Sequence, residues 1–219
     1  MQRDITTVIE QTLQEFCLNF LTDPYLCYTE HGLHALFFAQ LYNALLPGER
    51  FTLWQGYKVC VLQKEYPTAD SLGKPQRQHW DIAVLKNPPE CLRGKQLSYD
   101  YLRLAAVIEF GLNEAQEHLE DDIARLGHPG ANVDKGYFVH LYRLTAPKAR
   151  CSGRDWSNAS ARIWSKEPVA ALLAHQPITG YYGIHDAGGK YPTGLWSIAD
   201  GNVTAITRTA PADSQQIES

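Results

Sequence analysis

The chain has 219 residues, 44% of them hydrophobic and 20% charged, with a formal net charge of −4. That length and composition suit one sizeable globular domain and exclude a low-complexity or collagen-like chain. No apolar run approaches the roughly 18 residues a membrane helix needs, so no membrane partner is expected. The opening MQRDITTVIEQ carries acids and threonines in place of an apolar leader core. The five cysteines (Cys17, Cys27, Cys60, Cys91, Cys151) are scattered and never spaced as CxxC, which predicts reduced thiols, a cytoplasmic protein and no structural zinc site.

Ile5, Val8, Ile9, Leu13, Phe16 and Phe20 recur at helical spacing and predict a helix over 5–20, capped near Thr6 or Thr7 and stopped at Asp23-Pro24. A second helix is predicted from about Thr29 to Leu46, with Leu33, Phe37, Leu41, Ala44 and Leu45 on one face. Glu30 shares that apolar face at the helix start. Three strands follow, at 57–66, 78–85 and 103–112, with the link NPPECLRGKQLSYD between the last two read as a surface insertion. Asn113 is the expected cap of a third helix containing Ala115, Leu119, Ile123 and Leu126, closed by Gly127 and Pro129. A fourth strand is expected at 137–144 and a short helix at 166–175. Short strands over 179–209 should turn at Asp200-Gly201. A single domain is expected over 1–219, with a core at 28–144, an α/β extension at 145–210 and a frayed tail at 211–219.

Charge is unevenly spread. Between Glu109 and Asp122 lie six acids and no base. Between Arg143 and Lys166 lie six bases (Arg143, Lys148, Arg150, Arg154, Arg162, Lys166) and one acid, Asp155. Such runs are commonly solvated faces. The alternative is an acidic pocket beside a basic patch that holds nucleic-acid phosphates, with Trp156 and Trp164 available for stacking.

A lone carboxylate in an apolar strand is costly unless it is paired or binds a cation. Asp81 breaks HWDIAVL, Glu109 breaks AVIEFGL, and Glu30 breaks the inner face of the second helix. The order helix–strand–strand–strand–helix–strand, carrying Glu30, Asp81 and Glu109, resembles the PD-(D/E)xK nuclease superfamily across roughly residues 28–144. KEYPT (64–68), HWDIAVL, AVIEFGL and HLEDDIARL are similar to variants from small bacterial and phage-defence proteins. The resemblance implies a restriction-endonuclease-like αβββαβ fold with a mixed central sheet, preceded by a helix and followed by short strands. It also implies catalytic Asp81 and Glu109 as Mg²⁺ or Mn²⁺ ligands, with Glu30 in support.

The family pattern ends in Glu-x-Lys, and Glu109-Phe110-Gly111 stands here instead. Alternation puts position 111 on the same face as Glu109. Two readings follow. Either a base has moved in from Lys64, Lys86 or Arg125, Lys86 being the weakest because it should face away from Asp81, giving an active endonuclease. Or the fold is a degenerate module that binds nucleic acid or a protein partner, in which case Gly111→Lys should restore some cutting; this second reading is the leading expectation. Glu65, before Pro67 at a strand end, reads as structural, with membership of the cluster as the alternative, and Gln63 reads as a surface residue. Cys27-x-x-Glu30-His31 falls short of a zinc-protease helix, with His31 and His34 read as helix-surface residues. Gly188-Gly189-Lys190 lacks the Ser or Thr of a phosphate loop and reads as a turn.

Overall fold

The computed structural model describes residues 3–92, 101–144, 163–187 and 191–206. The chain opens with helices α1 (Ile5–Thr22) and α2 (Glu30–Ala44), capped by the side chains of Asp4 and Thr29. A hairpin of β1 (Phe51–Trp54) and β2 (Tyr57–Cys60) leads into β3 (Leu62–Pro67) and β4 (His79–Leu85). A short pair, β5 (Cys91–Leu92) and β6 (Tyr101–Leu102), comes next. Then follow β7 (Leu104–Leu112), α3 (Gln116–Leu126), β8 (Val133–Leu144), α4 (Lys166–Leu172), β9 (Ile178–Asp186), β10 (Gly194–Ala199) and β11 (Asn202–Ile206).

Seven strands form one mixed sheet in the order β11-β10-β9-β8-β7-β4-β3. β7, β8 and β9 are parallel, and the remaining neighbours are antiparallel. One face carries Ile82, Val84, Ala106, Ile108 and Phe110 against Phe16, Leu33, Phe37 and Leu41 of α1 and α2. The other carries Ala83, Val107, Phe138 and Tyr182 against Leu119 and Ile123 of α3 and Val169 of α4. The molecule is therefore a mixed α/β protein with helices on both faces of its sheet, and among the described residues no helix is long and apolar enough to cross a membrane.

Several sequence expectations need correction. The strand expected at 57–66 breaks at Val61, so β2 pairs with β1 and β3 joins the large sheet. Asn113 does not cap α3. It has φ +57 and its side-chain oxygen accepts from Arg143 N, and Ala115 is the cap residue. The strands after residue 178 continue the central sheet, with β9 pairing in parallel along nine positions of β8. The Asp200-Gly201 turn does join β10 to β11, with Ala199 opposite Asn202.

Arg143 is not part of an exposed basic patch. It is buried at the end of β8, where its guanidinium donates to the carbonyls of Pro24, Cys27 and Tyr28 and lies over the Tyr25 and Tyr28 rings. It thereby ties the α1–α2 connection to the sheet. Trp164 is likewise buried, its ring 4.3 Å from that of Tyr182, and is not available for stacking on bases. Lys166 rests its ammonium over the Trp196 ring at 4.3 Å. Lys148, Arg150, Arg154, Arg162 and Trp156, together with the Gly188–Lys190 turn, lie outside the described residues.

Candidate functional site

Asp81, Glu109 and Glu30 do come together, where β4 parts from β7. The ladder between these strands runs from Leu85↔Leu104 to Ile82↔Ile108 and stops. One step further, Asp81 stands opposite Glu109. Beyond that point β7 has, among the described residues, no strand partner on this edge, and carboxylates take over its amides. Phe110 N donates to Asp81 Oδ2 at 2.8 Å, and Leu112 N donates to Glu30 Oε2 at 2.9 Å. Buried backbone N–H groups must find acceptors, and here two of the expected site residues supply them.

The carboxyls of Asp81 and Glu109 act on each other electrostatically. Burial pushes the Asp81 carboxyl up to about 6, opposed by the Phe110 amide and reinforced by Glu30 and Asp122. Burial raises Glu109 well above the usual carboxylate range, and Asp81 adds to this against the pull of Arg125. Glu30 is raised too, by burial first, with the Leu112 amide opposing.

A fourth carboxylate, Asp122 of α3, completes the cluster. Burial alone would raise it, but His140, His118 and Arg125 outweigh burial and hold it below its ordinary value. Arg125 donates to Asp122 Oδ1 at 2.6 Å and approaches Glu109 Oε1 at 3.4 Å. Of Lys64, Lys86 and Arg125, only Arg125 lies against Glu109. Lys86 pairs with Asp134 at 2.9 Å and Lys64 with Glu65 at 3.4 Å.

The space beside Gly111 is filled. Gly111 pairs with His140 on β8, and a Cβ at Gly111 would stand 2.7 Å from both Cε1 and Nε2 of that imidazole. The neighbouring Phe138 leans the other way and covers Gly180 on β9, where a Cβ would meet Cζ of the ring at 1.9 Å. Each glycine thus makes room for a ring from the strand between them. The glycine at 111 therefore has a packing role, and a lysine there would have to displace the His140 ring.

No family model, curated protein or solved structure matches the chain.

His34 is a further correction: it is 1% exposed, 3.5 Å from Asp81 Oδ2, and not a surface residue. Burial, with help from Lys64 and His31, pushes its imidazole down to about 3, so it meets Asp81 as a neutral ring. Glu65 lies opposite Asp81 in β3 with φ +53, and pairing resumes unshifted at Tyr66↔Trp80. His34, Glu65 and Asp81 offer ligand atoms within 4.8 Å of one another, as do His118, Asp122 and His140. Sequence reasoning passes over Asp122, His118 and His140. The available signals were the i,i+4 pair in HLEDDIARL and a lone histidine inside the apolar run at 137–144.

In the cation-free protein the Asp81 carboxyl rests near 6 when folded and near the ordinary ~3.9 when unfolded. The folded state therefore holds a proton that the unfolded state has lost between these values, and stability falls as pH rises through this window. The penalty is absent below about pH 4 and complete above about pH 7, on the order of 2–3 kcal/mol. Urea unfolding at pH 5 and pH 7 without divalent ions should show the loss, and Asp81→Asn should lessen it, the part left over coming from Glu109 and Glu30, whose carboxyls are raised as well. An equal slope in that variant would assign the effect elsewhere.

Proposed function

We propose that the protein is a divalent-metal-dependent phosphodiester hydrolase of the PD-(D/E)xK type in which Arg125 takes the place of the motif lysine. The observation that carries this reading is the Arg125 guanidinium at 3.4 Å from Glu109 Oε1, inside a cluster of four carboxylates. The chain order α2-β3-β4-β7-α3-β8 supports it, following the αβββαβ order with Glu30, Asp81 and Glu109 at corresponding positions.

The donor set fits a hard cation. Asp81 and Glu109 offer only oxygen, the charge of Asp81 raises Glu109 where a cation would relieve the repulsion, and Glu109 Oε1 is buried without a hydrogen bond. Bound there, Mg²⁺ or Mn²⁺ supplies polarisation of the phosphate and a lowered pKa for an attacking water. The protein's part is to hold the geometry. The Phe110 amide fixes Asp81, the Leu112 amide fixes Glu30 at the half-open mouth, and Arg125 presents a fixed cation for charge developing on the phosphoryl oxygens.

Plasmid, single-stranded DNA and RNA incubated with Mg²⁺ or Mn²⁺ test this. Cleavage is expected with at least one substrate, falling at least about a hundredfold in Asp81→Asn and in Arg125→Ala. Cleavage indifferent to Asp81→Asn overturns the reading. A second reading is favoured by the near-complete burial of Glu109 beside Arg125, which already neutralises part of the cluster. In that reading the protein binds nucleic acid or a protein partner without cutting. Folded protein that binds nucleic acid and cuts none of the substrates supports it.

A further inference from the structure

Three side chains beside the Asp81–Glu109 pair converge from α3 and β8. His118 and Asp122 lie one turn apart on α3, and His140 reaches them from β8. Asp122 Oδ2 is 3.5 Å from His118 Nε2 and 3.4 Å from His140 Nε2. Both separations exceed the usual N–H···O range of about 2.7–3.2 Å. They match the edge of a ligand tetrahedron: with bonds of about 2.0–2.1 Å to the metal, neighbouring ligand atoms stand roughly 3.3–3.4 Å apart.

The surroundings are built for the same purpose. Arg125 holds the other oxygen of Asp122, Oδ1, at 2.6 Å, which orients the carboxylate and leaves Oδ2 toward the histidines. His140 is fully buried, reaches its place because Gly111 has no Cβ, and has an Nδ1 without a hydrogen-bond partner. Its Nε2 points at Asp122, so a cation there supplies the ring with a strong contact that the 3.4 Å approach alone does not. Asp122 is 1% exposed and His118 43%, so two ligand positions are sunk in the core and the third opens to solvent.

From this geometry we infer that His118, Asp122 and His140 form a binding site for a first-row transition cation of zinc-like preference, with a fourth position facing solvent. Three protein ligands and one open position is the arrangement of zinc sites that bind water or a substrate rather than of closed structural ones. Two imidazoles also make this set softer than the carboxylate group of Asp81, Glu109 and Glu30. Imidazole nitrogen suits zinc, cobalt and copper, whereas carboxylate oxygen suits magnesium and manganese. Asp122 belongs to the carboxylate cluster as well, and Arg125 touches both sets, but His118 and His140 have no part in the proposed hydrolysis, so zinc binding that depends on His118 is read out independently of cleavage.

The test uses the full chain, stripped with a chelator, titrated with Zn²⁺ by calorimetry in excess Mg²⁺, and separately with Co²⁺ by visible absorption. One equivalent of Zn²⁺ is expected, along with the intense visible band of tetrahedral cobalt. His118→Ala, at the exposed ligand, should keep the fold by circular dichroism and weaken Zn²⁺ binding at least about a hundredfold. His34→Ala should leave it unchanged. Absence of Zn²⁺ binding, a weak octahedral cobalt spectrum, or binding that survives His118→Ala overturns the inference. Loss of binding in His34→Ala with retention in His118→Ala places the ion with His34, Glu65 and Asp81 and overturns it as well.

Discussion

Gly111→Lys is expected to destabilise the protein by at least about 3 kcal/mol and to create no new cutting activity. Its Cβ alone would stand 2.7 Å from the His140 imidazole. That ring cannot easily retreat, because it is fully buried between Phe138 and Trp164, at centroid distances of 6.0 and 6.3 Å. The substitution therefore overpacks a closed layer and buries a flexible cationic side chain. Urea unfolding measures the cost. Gly111→Lys combined with His140→Ala removes the obstructing ring and should recover most of the loss. A single variant as stable as the parent would show that the imidazole has another place to go.

Arg143→Met should cost about 3 kcal/mol, for a different reason. Methionine keeps much of the apolar stem but donates nothing, and the carbonyls of Pro24, Cys27 and Tyr28 lose the group that satisfies them. Those carbonyls belong to the connection that sets the start of α2, the last of them, at Tyr28, standing one residue before the Thr29 cap and two before Glu30. The variant should therefore lose placement of Glu30 as well as stability. On the proposed hydrolytic reading, cleavage measured at a temperature where the variant remains folded should drop with it. Arg143→Lys should recover only part of the stability, because an ammonium is a compact donor and the three carbonyls surround a planar fork. A melting temperature unchanged in Arg143→Met would mean that water replaces the guanidinium at no cost.

The same residue illustrates how legibility varied along the chain. Arg143 lies among the bases that run on to Lys166, and charge counting makes it one of a surface set. Its burial follows from the length of β8 and the path of the α1–α2 connection, neither of which composition encodes. Asp81 and Glu109 were readable because a lone carboxylate stands out against an apolar strand, and pairing of β4 with β7 brought them opposite each other. Asp122 was hidden among the acids of α3, where only the packing of that helix singles out one buried carboxylate from its exposed neighbours. Gly111 was legible as a departure and illegible as to cause. The cause lies across the sheet in His140, 29 residues later, and depends on the parallel register of β7 with β8. Gly180 has the same kind of cause. It weakens the strand pattern at 178–186, so the sequence suggests short terminal strands where β9 instead runs deep in the sheet.

Where β7 runs past the last rung of β4, two of its amides are held by carboxylates in place of a strand. An amide that donates to a carboxylate is sensitive to anything that changes the charge on that carboxylate. Protonation at Asp81, or a cation drawing on its electron density, weakens the acceptor for Phe110 N–H, and the same holds for Glu30 and Leu112 N–H. Hydrogen-exchange rates at these two main-chain positions should consequently follow pH and divalent-ion concentration, while Ile108, held by β4 in an ordinary ladder, should not. The electrostatic state of the carboxylate cluster is written into the exchange behaviour of the strand beneath it, and can be read there without any substrate.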